Sequence, residues 1–479
     1  MTAGAAPVLG GASARLDVRR VPAGSVLRLY HPPTQGNSFS LDGFPTMGTV
    51  PERGLSPKDW QTRLRESVDT LGILGMTTNQ TLFRQLLETG ALEGRLRAFR
   101  AQGFSAEEVY RRLYNEAATE AARIFGEVHA RWPWEGRISQ EASALLTELD
   151  PLVRDVQRIA SSMSGVGAFT KIPNLRIGPQ AIQRAVASGK VHPNVTLVFS
   201  DRHYLDTVEG YLLGLKELAG RQRLDGIHSV NSLFVSRLDR AVDPLIEEGI
   251  GRATDPAQAD RLKLLRGKSA VAHAKKVYQI FEAVFLSRPF QDPEGLYRDE
   301  EGGRMLERIR RLAALFEELK AAGAHPQRLL VASTGVKSDQ PYSPLLYVLP
   351  FLGPWCANTL PEATLEVLSR FVSGLPEEQV AALRNRNLMR EPLPEIPTDA
   401  QPTTEWDRAL LMDADERRQS GIREISPDRI LRELQGRVLQ PKGTTLREIC
   451  DALRDKGAKA FSDDEQATLQ ALRAKLQSF

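Results

Sequence analysis

The sequence predicts an α/β protein in which a parallel sheet is wrapped by helices, with an N-terminal extension and a C-terminal helical segment. Three observations predict it. Short β-prone runs recur along the chain and alternate with long amphipathic helical patterns, an order that sets strands parallel with helices outside them. The runs number eight, the count that closes a (β/α)8 barrel; an open, doubly wound sheet is the alternative that spacing leaves standing. The 479 residues exceed one small domain and leave room for extensions around such a barrel.

Residues 1–36, rich in Ala, Gly and Pro, predict a flexible leader with one short strand at VLRLY, residues 26–30. The barrel is expected over residues 37–375. Its strand candidates are NSFSLD (37–42), GILGMT (72–77), RISQE (137–141), AFTKIP (168–173), NVTLVFS (194–200), SVNSLFVS (229–236), RLLVAS (328–333) and WCANTL (355–360). Between them lie clear helices. SAEEVYRRLYNEAATEAARIF opens with Ser105 and carries Glu108 three residues on, a capping-box pattern. Val109, Leu113, Ala117, Ala121 and Ile124 then recur at helical spacing. Residues 267–285 and 305–323 read as two further helices. The segment REPLPEIPTDAQPTTE (390–405) reads as a linker, and residues 406–479 read as helical, so that 376–479 form a linker and C-terminal helical segment.

Composition narrows the function classes. Hydrophobic residues make up 41% and charged residues 26%, ordinary values for a soluble protein. A net charge of +3 sets up no field for nucleic acid or an anionic membrane, while local cations remain free to bind small phosphates. Cys356 and Cys450 are too few to staple the chain and fit a reducing cytoplasm. The seven histidines are scattered and form no metal-ligand motif, so no structural metal is expected. The most apolar stretch, residues 344–355, holds three prolines and is too short to span a bilayer. The N-terminus has no signal-peptide pattern, and a cytoplasmic location is expected.

Three charged residues fall inside or at the ends of apolar strand candidates: Asp42, Glu141 and Lys171. Singly, each reads as a strand end in solvent. Together, two acids and an amine resemble a proton-transfer site, because catalytic groups of a barrel sit at the C-terminal ends of its strands. Lys171 is the sharpest, flanked by residues that seek burial. An enclosed lysine favours its neutral form, and the neutral amine is the species that attacks a ketone. The bland reading is a lysine snorkelling to the rim.

FTKIPNLRIGPQAI followed by HPNVTLVFS resembles the Schiff-base strand and the next strand of the transaldolase family. GILGMTTNQTLF, SVNSLFVSRLDRAVD, LRGKSAVAHAKKVY, RLLVASTGVKS and YSPLLYVLPFLGPWCANTLPEATLE resemble its other blocks, in order, from about Asp42 to Glu366. RDKGAKAFSDDEQATLQALRAKL resembles its closing helix. The resemblance implies a (β/α)8 TIM barrel and the transfer of a three-carbon ketol unit between sugar phosphates, with neither a metal nor an organic cofactor. It implies that Lys171 forms the imine, that Asp42 takes the proton from the substrate hydroxyl, and that Glu141 and Thr196 hold the water that shuttles protons. Asn79 and Asn194 are implied to bind hydroxyls of the retained unit. Arg237 is implied to bind the phosphate with help from Ser232 and Ser333, with Lys337 a further basic candidate. Phe234 and Glu141 resemble transaldolases where the related fructose-6-phosphate aldolases have tyrosine and glutamine, which favours transfer over cleavage. The chain departs from the family pattern at Met76, Gln80, Leu175 and Ile177, positions near the substrate that bear on which sugars are used. A lyase on the same barrel and a catalytically silent barrel are the rival readings.

Three motifs read as distractors. GKS at 267–269 lacks the upstream glycine of a phosphate loop and reads as a helix start. WPW at 132–134 reads as packing at a helix end, and Cys356 as a small core residue.

Overall fold

The computed structural model describes residues 21–45, 60–88, 90, 92–398 and 404–478. Its centre is a closed barrel of eight strands in chain order, every neighbouring pair parallel. The strands are β1 (Ser38–Asp42), β2 (Gly75–Thr77), β3 (Arg137–Glu141), β4 (Ala168–Pro173), β5 (Pro193–Val198), β6 (Ser229–Phe234), β7 (Gln327–Ala332) and β8 (Cys356–Leu360). All eight predicted runs are strands. Pairing of β1 with β8 closes the ring and removes the open sheet as an alternative.

The apolar core lies between the strands and the outer helices, as period-2 and period-3.6 patterns require when both face one layer. Helix Ala106–Ile124 starts as its capping box predicts: the Glu108 N–H donates to Ser105 Oγ at 3.2 Å and the Ser105 N–H donates to Glu108 Oε2 at 3.0 Å. Helices Ser269–Phe285 and Glu300–Lys320 follow in the predicted places. Among the described residues no helix is long and apolar enough to cross a membrane.

Two segments differ from expectation. Residues 1–20 of the expected leader lie outside the described residues, but Val26, Leu29 and Tyr30 are buried rather than flexible. VLRLY is no strand; Val26–Leu29 form a 3-10 turn capped by Ser25. A closed barrel offers no free edge to pair with, so this apolar segment satisfies its backbone locally. The turn is held by Arg28, which donates to Val372 O at 3.3 Å, and by Arg384, which donates to Arg28 O at 2.7 Å. The expected linker is a packed strap. Leu393–Pro394 pair antiparallel with Glu424–Ile425, and buried lysines of the barrel layer bond its carbonyls: Lys275 to Leu388 O and Glu391 O, Lys268 to Ile396 O. Proline removes backbone donors but leaves carbonyl acceptors, and ammonium groups supply what the strap lacks. Residues 399–403 of that expected linker lie outside the described residues.

The last helix, Leu446–Ser478, runs across the loops that follow several strands. Its buried stripe comprises Cys450, Gly457, Phe461, Glu465, Thr468, Leu469, Leu472 and Leu476. Arg84 pairs with its Asp464 at 3.1 Å, Cys450 Sγ bonds Phe199 O at 3.0 Å, and Glu465 accepts from Ser143 and Ala144 just after β3.

Candidate active site

The strand register sets three predicted residues side by side: Glu141 opposite Lys171, and Lys171 opposite Asn194. Lys171 is 5% exposed and Glu141 3% exposed, so the lysine is enclosed rather than snorkelled to the rim. Its ammonium lies 3.4 Å from Glu141 Oε2 and donates to Thr78 O at 3.1 Å. Burial pushes the Glu141 carboxyl above its usual range; the charges of Lys171 and Arg237 oppose that rise, and Asp42 adds to it.

Around this pair the barrel interior is polar. Ser232 donates to Asn194 Oδ1 at 2.7 Å, and Asn194 Nδ2 donates to Ser139 Oγ at 2.8 Å, a chain of bonds crossing from β6 to β3. Ser232 thus stands with Asn194. Thr196 Oγ1 is buried without a hydrogen-bond partner among the described residues, whereas Glu141 Oε2 faces the Lys171 ammonium at 3.4 Å. Orphaned polar atoms of this kind mark a place for water or substrate. Asp42, half-buried at the end of β1, accepts from Thr77 Oγ1 at 2.8 Å, and Thr77 shares a second bond of 2.7 Å with Thr359. One Asp42 oxygen is therefore oriented from β2 and β8. Asn79 Oδ1 caps helix Gln80–Glu88 by accepting from the Leu82 N–H at 3.0 Å.

A cation sits apart from this cluster. Arg237, in the first turn of helix Ser236–Arg252, has its guanidinium over the Phe234 ring at 5.3 Å and the Phe461 ring at 6.0 Å. Among the described residues no carboxylate stands within ion-pair distance of it. The ordinary alternative, a pair with Asp239, is removed, because Asp239 is fully buried and accepts from the Ala270 N–H at 2.7 Å and Tyr347 OH at 2.9 Å. Burial lowers the Arg237 pKa, with Asp42 and Glu141 opposing. A helix N-terminus and a partly desolvated guanidinium without a counter-ion form an anion site. Ser333, in a left-handed conformation with φ of 58°, joins Ser236 beside it through hydroxyls 3.0 Å apart. Lys337 lies exposed in the loop after β7.

The strand between these two centres is irregular. Register shifts between Val195 and Val198 of β5, and Leu197 has φ of 60°. Such bulges re-aim side chains beside active sites. This one turns buried Leu197 toward the last helix: a Cβ on Gly457 would stand 2.9 Å from Leu197 Cδ2.

Residues 61–406 match the model of a family described as transaldolase/fructose-6-phosphate aldolase. The transaldolase of Thermobifida fusca is 35% identical over 318 residues, which is 64% of this chain and 74% of the relative. The transaldolase of Saccharopolyspora erythraea is 33% identical over 305 residues, 63% of this chain and 73% of the relative. The chain belongs to the transaldolase family. In this transaldolase-family chain Gln80, one of the departures, is buried and its amide donates to Ala142 O at 2.9 Å, tying the start of helix Gln80–Glu88 to the residue that follows β3.

Several residues of the site escape a reading by motif. Thr77 and Thr359 orient Asp42, and each is an unremarkable threonine in sequence. Asn174, inside the quoted FTKIPNL block, has its Nδ2 buried without a partner among the described residues. Phe461 and Glu465 lie inside the quoted closing-helix block, which assigns the helix but no role to either side chain. The distractors resolve as packing. Helix Ser269–Phe285 begins just after Lys268, Trp132 meets Tyr30 edge-on at 5.1 Å, and Cys356 is a fully buried residue of β8 whose thiol pKa burial raises. Histidines scattered in sequence meet at the barrel's other end, where His228 stacks on His325 at 4.7 Å.

Proposed function

We propose that this protein is a transaldolase that moves a three-carbon dihydroxyacetone unit between sugar phosphates through a Schiff base on Lys171, from sedoheptulose 7-phosphate to glyceraldehyde 3-phosphate. The observation that carries the reading is an enclosed lysine amine 3.4 Å from a buried carboxylate inside a barrel of this family. The amine adds to the ketose carbonyl and water leaves. Asp42 takes the proton of the hydroxyl on the fourth carbon, the bond between the third and fourth carbons breaks, and its electron pair passes to the imine nitrogen. Erythrose 4-phosphate departs. The enamine left on Lys171 attacks the aldehyde carbon of glyceraldehyde 3-phosphate, Asp42 returns the proton, and hydrolysis frees fructose 6-phosphate.

Glu141 and Thr196 hold the water of imine formation and hydrolysis, Thr196 through a hydroxyl that has no partner among the described residues and Glu141 through the carboxylate beside Lys171. Asn194 and Asn79 bind hydroxyls of the retained unit. Arg237 binds the phosphate with Ser333, Lys337 adds positive charge from the seventh loop, and Ser232 orients Asn194. Phe234 forms the apolar wall beneath Arg237. A cytoplasmic setting fits two cysteines that are buried and unpaired.

The test is borohydride reduction with fructose 6-phosphate. We expect a mass increment on Lys171 in the parent chain and none, with no turnover, in a folded Lys171→Ala variant. Turnover retained by that variant means another nucleophile. Added erythrose 4-phosphate should yield sedoheptulose 7-phosphate; cleavage without that product makes the protein a lyase.

A further inference from the structure

Resting on the sugar-phosphate reading above, we propose that the C-terminal helix Leu446–Ser478 builds one wall of the phosphate subsite, with Phe461 a positioning residue for Arg237 and Gly457 the clearance that admits the guanidinium.

Two rings stand against Arg237. Phe234 comes from β6 and Phe461 from a helix more than 200 residues away in sequence, with centroids 5.3 and 6.0 Å from the guanidinium carbon. Each ring face attracts the cation and leaves its N–H edge free. With no carboxylate on the guanidinium, the rings are what orients it. Phe461 itself is 4% exposed and has no freedom to leave. One helical turn further on, Glu465 accepts from Ser143 Oγ and the Ala144 N–H, both at 2.7 Å. Towards the other end of the helix, Cys450 Sγ bonds Phe199 O. These contacts bracket Phe461 and set its depth.

Gly457 lies one turn before Phe461 on the same stripe. A Cβ there would stand 2.9 Å from Leu197 Cδ2 and 3.3 Å from Arg237 Nη1. A helix interior normally disfavours glycine by about 1 kcal/mol relative to alanine. Here the small residue leaves Arg237 and the bulged β5 unobstructed. Phe461 and Gly457 therefore act on one group from opposite directions: removing the ring loosens the guanidinium, and adding a methyl at Gly457 crowds it.

The experiment is calorimetric titration of the full chain with fructose 6-phosphate and, separately, with fructose. Variants are Phe461→Ala, Phe461→Tyr and Gly457→Ala, each with its melting temperature measured. For Phe461→Ala we expect the affinity for fructose 6-phosphate to fall about 5- to 10-fold, the scale of one partly desolvated cation–π contact, and affinity for fructose to change little. Phe461→Tyr should restore the parent value. Gly457→Ala should weaken fructose 6-phosphate binding more than fructose binding, whatever its effect on the melting temperature. Equal losses for both sugars, or unchanged fructose 6-phosphate affinity in both Phe461→Ala and Gly457→Ala, overturn the proposal, as does a parent chain that binds fructose 6-phosphate no better than fructose. Absence of a borohydride adduct on Lys171 alongside the expected affinity changes would sink the Schiff-base reading and leave this one standing.

Discussion

Glu141 is a carboxyl that burial raises above its usual value of 4.5, with the Lys171 charge pulling the other way. If it exchanges protons with the water of imine formation, its base form must be present during turnover. That form is lost as pH falls through the raised pKa, so the acid limb of the rate profile should sit above pH 4.5 in the parent chain. Glu141→Gln keeps the shape and removes the proton exchange. We expect kcat to drop about 10²- to 10⁴-fold, the usual contribution of a positioned acid–base group, and that acid limb to vanish in a pH–rate series. A Gln variant with parental kcat and limb would remove Glu141 from the chemistry. Arg237→Ala should raise KM for phosphorylated sugars by on the order of 10- to 100-fold, the scale of hydrogen bonds to a charged group, and leave unphosphorylated sugars nearly unaffected. A parallel loss for both would move the phosphate elsewhere. Lys171, Glu141 and Asp42 stood out because a charge in or at the end of an apolar strand contradicts its surroundings, and the family resemblance supplied the roles proposed for them. Thr77 and Asn174 were not, because threonine and asparagine are common at strand ends and only the closed ring shows what they face.

At the scale of elements, the joint between the last helix and the loop after β3 depends on one proton. Burial pushes Glu465 up to about 7, although the Ser143 hydroxyl and Ala144 N–H favour its charged form. The sign follows from linkage. A carboxyl whose pKa is higher folded than unfolded binds more protons in the folded state, so its contribution is full below pH 4.5 and is lost as pH rises toward 7. The span corresponds to on the order of 3 kcal/mol, or roughly 3 °C of melting temperature for a chain of this length. Glu465→Gln should remove that component. The difference in melting temperature between parent and variant, followed from pH 4 to 8, should change by about that amount; a constant difference would mean the group does not titrate in the folded protein. Elements were the best-read level in the sequence. All eight strands fell where alternation between β-prone runs and helices put them, since a buried parallel strand needs a continuous apolar run. VLRLY and the proline-rich strap were misread for a common reason. Local composition reports backbone preference, whereas burial of Val26 and of Leu393 is decided by surfaces that exist only once the barrel has closed.

Over the whole molecule, the region after β8 is joined to the barrel layer by buried lysines rather than by a large apolar face alone. Lys268, Lys275 and Lys276, which flank or lie in helix Ser269–Phe285, all reach segments beyond the barrel or the loop beside them. Burial lowers the Lys275 pKa to about 7. Lys276 is the strongest joint. Its amine lies 2.6 Å from Asp428 Oδ1, donates to Gln291 O at 2.6 Å, and stands 4.3 Å from the Phe290 ring centroid, with both side chains of the ion pair at most 5% exposed. Asp428 opens helix Pro427–Leu434, which packs directly on Ser269–Phe285. Removing one partner of such a pair leaves a buried charge without compensation, at a cost of about 3–5 kcal/mol. Replacing both by apolar groups removes the desolvation as well as the attraction. Lys276→Met alone should therefore lower the melting temperature by roughly 3–5 °C, and Lys276→Met with Asp428→Leu should recover most of that loss. Because the strap and last helix are bound into the barrel through the same layer, unfolding in both variants should remain a single transition by calorimetry. Two separated transitions would show that the C-terminal region melts on its own, and equal destabilisation in the single and double variants would show that the pair acts through its hydrogen bonds to the backbone rather than through its charge.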